Sequence, residues 1–293
     1  MKEFQWNKKG LIYQVNNSNS FLLTHASNPL ALHLNDDVYR IFYSGRDSDN
    51  RSSVSYLDYD LLKEEIVYDH RIPIISPKIN TFYSHGITIG NYWYENDEIF
   101  VGFMGWQQKE GCHWRGDIGK FNLNTGKITL LMGTSEEDPI SLSYPHISYE
   151  NGIYRMWYGS TISWDSPNGE MIHIIKEATT KNMKTWDHKG CIIPYEIGVA
   201  QAFSKPCVLK NKDGYRMWYS YRDGIGTPYR IGYAYSKTGN VWKVKKSNLN
   251  VSVNGWDSDM VCYPYVFEHK AETYMLYNGN RYGLEGFGLA KGV

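Results

Sequence analysis

The sequence predicts an all-β fold, a five-bladed β-propeller of four-stranded antiparallel blades, and three observations carry that expectation. The first is an aromatic phrase used five times: YRIFYSGRD from Tyr39, IFVGFMGW from Ile99, YRMWYGS from Tyr154, YRMWYSYRD from Tyr215 and TYMLYNGNR from Thr273. Tyr39, Ile99, Tyr154, Tyr215 and Tyr274 stand 60, 55, 61 and 59 residues apart, room for four short strands per repeat. The second is the turn before the phrase, Glu150-Asn151-Gly152 or Lys212-Asp213-Gly214, because Asn-Gly and Asp-Gly between alternating runs mark a β-hairpin. The third is that the chain ends complement each other. The last repeat stops after three strands, CYPYVFE, TYMLYNG and GFGLAKGV, while the N-terminal FQWNKKGLI resembles KTWDHKGCII, the fourth-strand segment of the third repeat. The N-terminal strand is therefore expected to complete the last blade and remove a free sheet edge.

Within a repeat the elements come in a fixed order. A proline-led inner strand opens it, as in SYPHISY and SKPCVLK, and the aromatic phrase is the second strand. RIGYAYSKTG from Arg230 reads as a third strand and VWKVKK from Val241 as a fourth. Residues 1–293 are expected to form a single propeller domain.

Composition narrows the partners. Aromatics are 15% of the chain, with 25 Tyr and 10 Trp, and long apolar helical stripes are missing, which favours β structure with aromatic-lined surfaces. The 31 Lys and Arg balance the 31 Asp and Glu and form no basic block, so neither nucleic acid nor a membrane surface is the expected partner. The N-terminus lacks an apolar signal core and no stretch approaches a spanning length, so a soluble, cytoplasmic protein is expected. Cys112, Cys191, Cys207 and Cys262 show no metal or redox spacing and read as buried free thiols. His25, His85, His113 and His146 lack zinc-motif spacing, and GLEGFG lacks the strand-to-helix setting of a phosphate loop; no metal or other cofactor is expected.

Antiparallel pairing puts the start of each inner strand, the end of the aromatic strand and the loop after it on one face. Those loops are long and polar, from GRDSDNRSS to NGNRYGLEG, and that face is expected to carry the site.

The proline-led inner strand followed by YRMWYS or YMLYNG resembles the propellers of glycoside hydrolase families 43, 32, 62, 117 and 130, over nearly the whole chain. GWDSDMVCYPYVF with TYMLYNGNRYGLEGFGLA also resembles glycoside-hydrolase-like propellers often linked with bacterial surface polysaccharide genes. In those hydrolases an Asp directly before the proline acts as base or nucleophile and a Glu two positions before it as acid. Here the corresponding residues are Ser27-Asn28, Ser84-His85, Ser143-Tyr144, Ser204-Lys205 and Cys262-Tyr263, with no carboxylate among them.

Side chains alternate along a strand, so Asn28, His85, Tyr144, Lys205 and Tyr263 are expected in one layer. If that layer faces the axis, His85 is a candidate acid or base and Lys205 a candidate partner for an anionic ligand group, although His85 also reads as a rim hydrogen-bonding group. Asp257 and Asp259 of GWDSD, with His146, complete the candidate catalytic set, and turn formation is the alternative role of the two aspartates. Trp106 and Trp256 offer stacking faces. Arg46, Arg222 and Arg281 end the aromatic strands, suited to ion pairs across the face or to a carboxylate or phosphate on the ligand.

The expected function is that of a carbohydrate-active protein resembling glycoside hydrolases. It would bind a glycan or activated sugar in the central depression, with a non-standard acid/base set if catalytic. The alternatives are a non-catalytic carbohydrate-binding or scaffold propeller, and a transferase, lyase or isomerase acting on a nucleotide sugar in surface-polysaccharide assembly.

Overall fold

The computed structural model describes residues 5–15, 17 and 19–293; Phe4 of the N-terminal strand segment lies outside them. β1 (Trp6–Tyr13) is followed by β2 (Thr24–Asn35), β3 (Val38–Arg46), β4 (Ser52–Asp60) and β5 (Glu65–Asp69). Next come β6 (Gly86–Glu95), β7 (Glu98–Gln107), β8 (Arg115–Asn122) and β9 (Ile128–Met132), then β10 (Ser141–Glu150), β11 (Ile153–Ser163), β12 (Ile172–Thr180) and β13 (Asp187–Cys191). β14 (Ala202–Asn211), β15 (Gly214–Arg222), β16 (Arg230–Ser236) and β17 (Lys243–Lys245) precede β18 (Cys262–His269), β19 (Glu272–Asn278) and β20 (Phe287–Gly292). A single helical turn, α1 (Asn280–Gly283), lies between β19 and β20.

The pairing is antiparallel within each group of four, and groups join only at isolated parallel bridges, Ser52 to Gly86 and His173 to Ala202. β1 pairs with β20, giving the order β1-β20-β19-β18, so the N-terminal strand supplies the outer edge of the last sheet. Asn278 in β19 ties that sheet to the first inner strand, accepting from the Asn28 backbone N–H and donating to the Ala26 carbonyl, each at 2.8 Å. The aromatic strands are the core. Tyr43, Phe103, Trp157, Trp218, Tyr158 and Tyr277 are almost fully buried and pack each group against the next. No helix is long and apolar enough to cross a membrane among the described residues. All four cysteines are unpaired, but only Cys207 and Cys262 are buried; Cys112 and Cys191 are exposed in loop and edge-strand positions.

One irregularity recurs and shapes the centre. In β2, β10, β14 and β18 the ladder slips so that Asn28-Pro29, Tyr144-Pro145, Lys205-Pro206 and Tyr263-Pro264 each face one residue of the partner strand. The first member of each bulge is left-handed, with φ of 57°, 41°, 50° and 53°, a conformation costing about 1–2 kcal/mol for a residue with a Cβ. Proline suits the second place because it has no N–H to leave unpaired.

The second group corrects the sequence reading. Ile89 pairs with Phe103 and Tyr92 with Val101, so the bulge falls on Gly90-Asn91 and the inner-ring position belongs to Gly90 rather than His85. A Cβ on Gly90 would lie 1.9 Å from the Pro145 carbonyl oxygen. The Pro145 carbonyl fills that space, and the Lys205 ammonium donates to the Ile89 and Gly90 carbonyls at 2.6 and 2.8 Å. Asn91 replaces the proline and clasps the Ile147 backbone, donating to its carbonyl at 2.8 Å and accepting from its N–H at 2.7 Å.

Candidate functional site

Above the bulges, where the inner strands converge, a cavity of about 240 Å³ opens, and every four-stranded group contributes to its wall. β2 and β3 supply Ser27, Asn28, Ser44 and Arg46; the next group supplies Thr88, Met104, Trp106 and Trp114. Tyr144, Met171 and His173 follow, then Phe203, Ser204, Arg222 and Tyr229, and finally Tyr263 and Tyr282. Tyrosines form one continuous side: Tyr263 lies 5.6 Å from Tyr144, 6.1 Å from Tyr229 and 6.4 Å from Tyr282 between ring centroids. Burial raises the phenols of Tyr144 and Tyr263, so they stay protonated and able to donate. Across from them stand Trp106, tied to Ser52 by its indole N–H at 3.0 Å, and Trp114, which packs edge-on against Trp164 at the rim.

Tyr282 reaches the cavity through strained backbone. Arg281 and Tyr282 have φ of 51° and 61°, and the Tyr282 carbonyl accepts from the Ser27 hydroxyl of the first inner strand. Two consecutive non-glycine residues in that region persist only where surrounding contacts hold them.

The wall holds two guanidinium groups and no carboxylate. Behind it, buried Glu170 grips Arg222, with Nη2 2.9 Å from Oε1 and Nε 2.8 Å from Oε2. Glu170 Oε1 also accepts from the Met171 N–H at 2.8 Å, and Arg222 donates on to the Tyr282 hydroxyl at 3.2 Å. The charge of Arg222 is thus matched and its fork fixed. Arg46 has no ion-pair partner among the described residues.

His173 is held between two hydroxyls, Ser143 Oγ 2.6 Å from Nε2 and Thr161 Oγ1 2.7 Å from Nδ1. Burial, reinforced by the Arg222 charge, lowers it to about 3, so it is neutral in the folded protein. His146 and His25 are likewise lowered by burial, to about 3 and about 4. The unfolded chain takes up these protons below its own histidine pKa near 6.5 while the folded chain does not, so stability falls as pH drops from 6.5. The combined slope approaches at most about 4 kcal/mol per pH unit for the three groups as the unfolded histidines become fully protonated. Urea midpoints are expected to fall sharply between pH 6.5 and 5, with a shallower fall in His173→Gln; equal slopes would show that His173 does not carry its share.

Of the residues singled out in the sequence, Asn28, Arg46, Trp106, Tyr144, Arg222 and Tyr263 meet in this cavity. His85 lies behind Trp106, ring centroids 5.0 Å apart. His146 is buried below the wall, where its Nδ1 accepts from the Val208 N–H at 3.4 Å. Lys205 is 1% exposed and committed to the two carbonyls described above. Asp257 is buried outside the wall, bound to Lys8 Nζ at 2.6 Å and the Tyr277 hydroxyl at 2.9 Å. Asp259 is exposed, and its backbone carbonyl accepts from Arg230 at 2.8 Å. Trp256 packs on Tyr277 and against Gly279 and Gly288, and Arg281 is exposed and not among the wall residues.

Trp114, Met171 and Tyr229 escaped the sequence reading although they share a positional signal. Each is the residue directly before the third strand of its group, β8, β12 or β16, where the loop returns over the cavity. Tyr282 and His173 carry no comparable mark.

The fold and central cavity define a glycoside-hydrolase-type propeller, and comparison with solved structures agrees. A structure named as a glycoside hydrolase superposes with a TM-score of 0.75 at 13% identity, over 97% of this chain and 90% of that one. A glycosyl hydrolase from Bacteroides ovatus gives 0.69 at 12% identity over 98% and 92%. The GH32 beta-fructofuranosidase BmSUC1 of Bombyx mori gives 0.65 at 11% identity, over 92% of this chain and 61% of that one. No family model matches the sequence. Two Mycobacterium tuberculosis proteins, Uncharacterized protein MT1551 (strain CDC 1551 / Oshkosh) and Uncharacterized protein Rv1502 (strain ATCC 25618 / H37Rv), are each 33% identical over 296 residues. The match takes in 97% of this chain and 98% of theirs, and the chain belongs to their family.

Proposed function

We propose that residues 1–293 form one five-bladed propeller that binds a glycan or sugar-derived small molecule in its central cavity, without the two-carboxylate hydrolysis of the propellers it resembles. The observation that carries this reading is the wall itself. It combines aromatic faces suited to sugar rings, hydroxyl and guanidinium donors suited to their oxygens, and no Asp or Glu to serve as acid or nucleophile. Hydrolysis through facing carboxylates needs a pair about 5–9.5 Å apart across the bond. Glu170, which touches the wall residues Arg222 and Met171, is held in the ion pair with Arg222. The likeness to glycoside hydrolases supports a carbohydrate ligand by analogy of fold.

Binding of an oligosaccharide panel, followed by calorimetry and by quenching of tryptophan fluorescence, tests the proposal. At least one glycan is expected to bind wild type, and Trp114→Ala to weaken it roughly tenfold. No reducing sugar should be released from that glycan. Release that survives removal of contaminating hydrolases would overturn the non-hydrolytic reading, and a panel that binds nowhere would overturn the carbohydrate reading.

A further inference from the structure

We infer that the ligand carries an anionic group, a carboxylate or a phosphate on the sugar, and that Arg46 and Asn28 on the first blade receive it. The inference deepens the carbohydrate reading and rests on it. Three observations bear on the ligand's charge. Arg46 faces a wall without carboxylates and has no ion-pair or side-chain hydrogen-bond partner among the described residues, whereas Arg222 is neutralised by Glu170. The neighbouring residues keep their own groups occupied: Ser44 and Ser52 both donate to the Ile87 carbonyl and Ser27 to that of Tyr282.

Asn28 supplies the second, independent observation. It is 3% exposed, lines the cavity, and its side-chain oxygen has no partner. A buried amide left unpaired costs free energy that a ligand can return. With neither end of the amide engaged by protein, it can turn its NH₂ toward an oxyanion held on the Arg46 fork. Its backbone is left-handed, φ 57°, as at the other proline-marked bulges.

The third observation is the local field. His25, beside this wall, is depressed to about 4 by burial and then by the charges of Arg46 and Arg281. A cationic site walled by Phe203, Met104 and Trp106 is poorly screened and concentrates anions.

The test uses the full chain and matched probes at constant ionic strength. Glucuronate, galacturonate and mannuronate are compared with the corresponding neutral hexoses, the matching hexose 6-phosphates and inorganic phosphate, read by thermal shift and calorimetry. At least one acidic sugar is expected to bind roughly 10- to 100-fold more tightly than its neutral parent, the gain of a charge-assisted hydrogen-bonded pair. Arg46→Gln should remove that preference, costing the acidic sugar far more affinity than its neutral parent. Asn28→Gly, which suits the left-handed backbone, should weaken the acidic sugar without lowering the thermal midpoint. If Arg46→Gln does not fold, Arg46→Lys takes its place: the acidic sugar should weaken more than the neutral one, because the ammonium lacks the two-pronged fork.

Preference for uronates over phosphates, or the reverse, identifies the source of the charge, and either supports the inference. Equal binding of neutral and acidic sugars, or a preference retained in Arg46→Gln, overturns it while leaving the carbohydrate reading intact. Binding of inorganic phosphate at Arg46 with no sugar bound at all upholds an anion site and removes the carbohydrate reading. No binding by any probe removes both.

Discussion

Lys205→Ala is expected to lower the thermal midpoint by roughly 10 °C. The ammonium runs from the fourth inner strand across the centre to the Ile89 and Gly90 carbonyls of the second. Truncation removes a donor from two buried acceptors and leaves a cavity, about 3–5 kcal/mol together; a degree or two to a few degrees of midpoint accompany each kcal/mol in a chain of this size. Lys205→Met keeps most of the volume and removes the buried charge, so it should fall by less. The two variants separate packing from charge, and pH separates them further. Burial pushes Lys205 down to about 7. The unfolded lysine holds its proton to about pH 10.4, so from pH 7 upward the unfolded state binds more protons and folding gains, by at most about 1.4 kcal/mol per pH unit. Between pH 7 and 9 the stability of wild type relative to Lys205→Met should therefore rise. A difference that stays flat would mean that the two carbonyls hold Lys205 charged throughout this range.

The same lysine shows what the sequence could and could not convey. Periodicity, hairpin turns and the matching chain ends made the strand order legible, because hydrophobic alternation and turn chemistry are local properties. Proline marks four of the inner bulges, at Asn28, Tyr144, Lys205 and Tyr263. In the second repeat Asn91 stands in the proline's place, so no marker distinguishes Gly90, which holds the bulge position, from His85. The direction of a side chain at a bulge was not legible either. Lys205 and Tyr144 occupy equivalent positions, yet one crosses to the second inner strand and the other joins the tyrosine wall. Trp114 and Tyr229 were hidden for another reason: loop residues have no periodicity to place them, and only the return of the chain into β8 and β16 brings them over the cavity.

Asp138→Ala and Asp257→Ala are expected to destabilise the fold and leave ligand affinity unchanged, a combination opposite to that of a catalytic carboxylate. The two aspartates are one device used twice. Each stands seven residues before the bulge proline, Pro145 or Pro264, and each accepts from a tyrosine twenty residues after it, Tyr158 at 2.8 Å or Tyr277 at 2.9 Å. Burial and the adjacent carboxylate push both phenols up, which keeps them as donors. Each aspartate also binds a lysine from a strand farther out, Lys176 at 2.9 Å and Lys8 at 2.6 Å, so it pins the lead-in segment to the body of its sheet. Asp138 is fully buried and takes a further bond from Ser160 at 2.5 Å. Its removal strands the largely buried Lys176 and should cost about 3–5 kcal/mol. Asp257 pairs with the more exposed Lys8, and about 2 kcal/mol is expected there. Because the sites lie in different sheets and share no partner, the double variant should lose the sum. Adding Lys176→Met to Asp138→Ala should recover part of the loss, since the stranded charge rather than the missing contact carries most of it. Urea unfolding of the four variants, with oligosaccharide affinity measured alongside, decides the matter. Wild-type stability in Asp257→Ala together with lost turnover or binding would return that residue to the catalytic set.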